Sequence, residues 1–164
     1  MQVPYQQLPN HARAWIYQSN RSFEIMEVDK IQEHLNTFIN SWAAHGQALQ
    51  ACGKVLHHQF VVLLVNEQIT KASGCSIDAS VAVIKQIEKD FNVSMFNRLL
   101  ISFRQEEDGQ IHTVDRPTFE RLFLEGRINE QTIVFNNMVA TKGDLEQRWQ
   151  VPIIESWHKN MLPV

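Results

Sequence analysis

Along the first third of the chain the apolar residues change period, from that of a strand to that of a helix. Arg13-Ala14-Trp15-Ile16-Tyr17-Gln18 is rich in aromatic and β-branched residues and predicts a strand, after an irregular lead-in marked by Pro4, Pro9 and Asn10. Over residues 26–45, Ile31, Leu35, Phe38, Ile39 and Trp42 recur at i, i+4, i+7, i+8 and i+11, which is one face of a helix. Gly46 suits its C-terminal cap, because glycine enters the left-handed region without a Cβ penalty. Residues 49–66 predict two strands. The second, Phe60-Val61-Val62-Leu63-Leu64-Val65, is apolar on both faces, the pattern of a strand central in its sheet. The turn joining them falls either near Gly53-Lys54 or near His58-Gln59.

Ile77, Val81, Ile84, Ile87 or Glu88, and Phe91 trace a second helix. Ser73-Gly74 marks its start, with Ser76 as candidate N-cap and Asp78 in the positive first turn. Strands at 99–103 and 111–114 flank Asp108-Gly109, a tight-hairpin signal. Asp115-Arg116-Pro117 opens a short helix that faces Phe119, Leu122 and Phe123 inward and stops at Gly126. A strand at 132–135 follows. Thr141-x-x-Asp144 then resembles a capping box ahead of Leu145 and Trp149. Pro152 suits the first turn of a last helix carrying Ile153, Trp157 and Met161 four residues apart. The pattern predicts one α+β domain over residues 1–164, a two-layer sandwich with helices on one face of a mainly antiparallel sheet. The order β-α-β-β-α-β over residues 12–105 adds a ferredoxin-like unit with a C-terminal extension.

Composition narrows the function classes. With 44% hydrophobic and 20% charged residues the chain is an ordinary globular protein and not a disordered one. Fifteen basic residues against eighteen acidic give a net charge of −3, which argues against a dedicated nucleic-acid or anionic-membrane surface. The longest apolar run, residues 60–65, falls far short of the roughly 20 residues that span a bilayer. No signal-like start precedes Tyr5, and Cys52 and Cys75 form no CxxC pair, so reduced thiols in the cytoplasm are expected.

The segment Ala72-Ser73-Gly74-Cys75-Ser76-Ile77-Asp78 carries the most chemistry, because it follows the central strand and opens a helix. Unpaired amides and the positive end of the helix dipole gather there, favouring a thiolate at Cys75 or a small anion held beside Gly74 and Ser76. Asp78 opposes this, since its carboxylate already occupies that field. A nucleophilic Cys75 also needs a base. Of His11, His34, His45, His57, His58, His112 and His158, His45 is the preferred partner, as a helix C-terminus stabilises its protonated form. The structural alternatives are a well-capped helix holding a small cysteine, and a histidine that caps carbonyls.

Metal and nucleotide chemistry find little support. Neighbouring His57 and His58 point to opposite faces of a strand, and His34 and His45 sit about 16 Å apart along one helix. Glu106-Glu107-Asp108 reads as a solvated hairpin tip. Gly53-Lys54 is followed by Val55 in place of Ser or Thr, and no GxGxxG occurs. No cofactor is expected. Trp15, Trp42, Trp149 and Trp157 lie on core faces, with Trp149 and Trp157 the two that could instead form an interface patch.

Four segments taken together resemble a family of Bacteroidetes proteins of about this length. They are His11-Ala12-Arg13-Ala14-Trp15-Ile16-Tyr17-Gln18, Trp42-Ala43-Ala44-His45-Gly46, Ser73-Gly74-Cys75-Ser76-Ile77-Asp78-Ala79-Ser80, and the run from Phe135-Asn136-Asn137-Met138 through Thr141-Lys142-Gly143-Asp144 to Glu146. The resemblance implies a bacterial origin and brings no activity or catalytic residue with it. Its members often carry the automatic label "ABC transporter ATPase". This chain lacks the phosphate-binding loop and an LSGGQ-type signature, and is too short for a complete ATP-binding cassette, so the label is set aside. Two expectations follow. One is a cytosolic binding or interaction module, with a homodimer and a small anionic ligand among its expected partners, its site at the Gly74-Cys75-Ser76 helix start and Gly74, Ser76 and Asp78 as the ligand-binding candidates. The other is a small enzyme with Cys75 as nucleophile and His45 as general base.

Overall fold

The computed structural model describes all residues, Met1–Val164, as an α+β chain of antiparallel sheets and four α-helices. The elements gather into two compact units: Met1–Phe96 with Ala140–Leu145, and Asn97–Val139 with Glu146–Val164. No helix is long and apolar enough to cross a membrane.

In the first unit β1 (Arg13–Gln18), β4 (Gln50–Leu56) and β5 (Phe60–Asn66) form a sheet of order β1-β5-β4, both edge strands antiparallel to β5. The continuous apolar run thus occupies the centre, and every residue from Phe60 to Val65 is buried. Helices α1 (Ile25–Ser41) and α2 (Gly74–Phe91) pack against the face bearing Val61, Leu63 and Val65, through Ile31, Leu35 and Ile39 from α1 and Ile84 and Ile87 from α2. Both edges are blunted. On β4, the Gln32 side chain donates to the Gly53 carbonyl at 2.9 Å and accepts from the Val55 amide at 3.2 Å. On β1, Ala14 N–H donates to the Ala140 carbonyl at 2.8 Å and Arg13 bridges Thr141.

This arrangement corrects the ferredoxin-like expectation at its fourth strand. The split β-α-β and its hairpin are present, but the strand after α2 does not return to the outer edge of β1. That edge is taken by Ala140–Thr141, while β6 (Ile101–Arg104) joins a separate sheet. Buried Lys142 secures the returning segment, donating from Nζ to the Leu8 carbonyl at 2.8 Å with its ammonium over the Tyr5 ring at 4.6 Å.

Two local expectations also change, and one that was open is decided. Helix α1 ends at Ser41, and the next residues form a hairpin of β2 (Ala43–Ala44) and β3 (Gln47–Ala48). His45 and Gly46 are its two-residue turn, at φ 52° and 76°, so Gly46 is no helix cap and His45 is not on a helix terminus. Positive φ at both central residues is what a type I′ turn demands. The β4–β5 turn falls at the later of its two sites, with His57 and His58 both at positive φ. Ser73, not Ser76, is the N-cap of α2.

In the second unit β6, β7 (Ile111–Val114), β8 (Ile133–Phe135) and β9 (Gln150–Pro152) lie in the order β7-β6-β8-β9. Helix α3 (Arg116–Leu124), N-capped by Asp115, packs Phe119 and Leu122 on Ile101, Phe103 and Val134. The short α4 (Lys142–Arg148) follows β8 in the chain, its residues up to Leu145 belonging to the first unit. The expected last helix is absent: residues 150–152 pair with β8, and Ile153–Glu155 and Trp157–Met161 are 3₁₀ turns. Pairing of Val151 with Val134 claims backbone groups that an α-helix starting at Pro152 would have used.

His158 in the last turn is 2% exposed, hydrogen-bonded from Nδ1 to the Ser156 hydroxyl at 2.6 Å and stacked under Trp157. Burial lowers its pKa to about 4. The unfolded chain therefore takes up a proton near pH 6.5, whereas the folded one resists it until about pH 4. Stability attributable to this residue is intact above pH 6.5 and falls across that window by about 3 kcal/mol. Urea unfolding at pH 7 and pH 4.5 should show this fall in the wild type and a shallower one in His158→Gln. Parallel profiles would remove His158 as the cause.

Candidate functional site

The start of α2 is built by a short loop leaving the central strand. Ser73 has extended dihedrals (φ −99°, ψ 167°), and its Oγ accepts from the Ser76 amide at 3.1 Å. Ser76 Oγ reciprocates, accepting from the Ser73 amide at 2.7 Å and donating to its carbonyl at 2.8 Å. The result is a capping box with serine where glutamate is usual. Upstream, Glu67 Oε2 accepts the Ala72 amide at 2.9 Å.

Two further contacts seat this loop against the β2–β3 hairpin. The Trp42 indole donates from Nε1 to the Ser76 carbonyl at 2.8 Å, and Thr70 Oγ1 donates to Gln47 Oε1 at 3.1 Å. The fold therefore brings together the hairpin tipped by His45 and the helix start that carries Cys75. Both of those side chains are exposed, and no hydrogen bond joins them.

Within the first turn the backbone donors divide sharply. The Ser76 amide is closed by Ser73, and the Ile77 amide makes the first helical bond to the Ser73 carbonyl at 2.9 Å. The amides of Gly74 and Cys75 have no intramolecular partner. Both residues are exposed, and a Cβ built on Gly74 would meet nothing within 4 Å. An 18-residue helix thus presents two adjacent unused N–H groups to solvent. Lys71 adds an exposed cation before the cap; Asp78 adds an exposed carboxylate within α2.

Of the residues singled out in the sequence, Gly74 and Cys75 lie on the open side of the turn and Ser76 on the closed side. Ser76 is buried and spends its hydroxyl on Ser73, so it supports the turn from beneath. The other thiol, Cys52, is buried, and burial pushes its pKa up. No three His, Cys, Asp or Glu side chains gather as a metal-binding group. Sequence reasoning missed Ser73 as the cap and Trp42 as the residue that seats the turn. A Ser-x-x-Ser spacing was the available signal for the first, whereas nothing local announces the second. No family model, curated protein or solved structure matches the chain.

Proposed function

We propose that the protein is a binding module that takes a small anionic group at the start of α2, on the amides of Gly74 and Cys75. The observation that supports this is the pair of adjacent, exposed and unpartnered donors at the positive end of a long, rigidly capped helix. Two charge-assisted hydrogen bonds at about 1.5–3 kcal/mol each correspond to a dissociation constant on the order of millimolar for a bare anion. A physiological ligand would add contacts along the β2–β3 hairpin, where His45 is exposed. Two free thiols, one of them exposed, suit a reducing cytosolic setting.

Titration with inorganic phosphate, followed by amide chemical shifts, tests the reading on the wild-type chain. Saturable shifts centred on Gly74 and Cys75 are expected. Shifts that grow linearly, or that centre elsewhere, would refute it.

The enzymatic alternative draws no comparable support, since His45 stands on a hairpin turn and is not bonded to Cys75. Alkylation of Cys75 by iodoacetamide is expected to proceed at the same rate in His45→Ala as in the wild type. A marked slowing in the variant would restore His45 as a base and favour the enzyme.

A further inference from the structure

We draw no further inference here: the strongest candidate, the exposed apolar patch of Trp157 and Met138 held on the Asn136 side-chain oxygen beside the β8–β9 sheet, carries nothing because no feature of the structure shows what covers it.

Discussion

Trp42→Ala is expected to lower the unfolding free energy by about 3–5 kcal/mol, the range for emptying a large aromatic site. Trp42 is 2% exposed, and its ring centroid lies 5.0 Å from that of Phe38 and 6.1 Å from that of Trp15. Removing it opens a cavity at the point where the last turn of α1, the β2–β3 hairpin and the start of α2 converge. Trp42→Phe separates packing from hydrogen bonding. It keeps most of the ring but withdraws the indole donor from the Ser76 carbonyl, for about 1 kcal/mol. Because that donor seats the candidate site, hydrogen exchange of the bonded amides of Ser73, Ser76 and Ile77 should accelerate in Trp42→Phe more than exchange in the β5 core. Uniform acceleration would mean that the bond stabilises the unit without positioning the turn. Trp42→Ala with an unchanged urea midpoint would contradict the packing described.

The second large effect is expected at Gly53. In the row Trp15–Leu63–Gly53 across the sheet, glycine leaves the space into which α1 descends. A Cβ there would stand 2.6 Å from Ile39 Cδ1, 3.2 Å from Leu63 Cδ2 and 3.3 Å from Leu35 Cβ. The Ile39 methyl can swing aside, but Leu35 Cβ is fixed to the α1 backbone, so relief requires the helix to lift. Gly53→Ala should therefore destabilise by about 1–2 kcal/mol and Gly53→Val by about 3 kcal/mol or more, above any gain in strand propensity. Lifting α1 would also strain the Gln32 bonds that close the β4 edge. The check is the urea midpoint of both variants, in the order wild type, Ala, Val. A Val variant as stable as the wild type would show that α1 is not seated on this glycine.

Where one local rule governs an element, the sequence reveals it. Strand β1 has the expected bounds Arg13–Gln18, and β5 is central because its run is apolar on both faces. The hairpin around Asp108-Gly109 and the start of α3 at Asp115-Arg116-Pro117 appear where expected, although the turn is wider than the tight one expected, spanning Arg104 to Ile111 with only Gly109 at positive φ. Failures arise where one signal serves two structures. Gly after His45 can end a helix or turn a hairpin, and Trp42 continues the helical spacing by one more step while leaving the helix. The four-residue spacing of Ile153, Trp157 and Met161 fits an α-helix, yet long-range pairing of Val151 overrides it. The buried stripe of α2 begins with Ser76 and Ser80, which a count of apolar residues cannot find. Their hydroxyls donate to the Ser73 and Ile77 carbonyls, which makes them compatible with burial.

The geometry of the candidate site was half legible. Its place on the chain followed from a strand–loop–helix order, and the exposed positions of Gly74 and Cys75 lie within it. The expected pairing with His45 depended on a helix terminus that the chain does not form. What replaced it, a hairpin joined to the loop through Trp42 and Gln47, comes from contacts more than 20 residues apart in sequence, at separations of 34 and 23.

Phosphate affinity of Gly74→Pro, compared with that of the wild type, shows whether the Gly74 amide holds the anion. Proline is favoured at the first helical position, and it requires extended dihedrals before it, which Ser73 already has. Space around Gly74 is open, so the substitution removes one N–H and leaves the turn in place. The variant is expected to keep an unchanged or higher melting temperature and to bind phosphate about tenfold or more weakly. Equal affinity in the two proteins, with the fold intact, would contradict that role of the Gly74 amide.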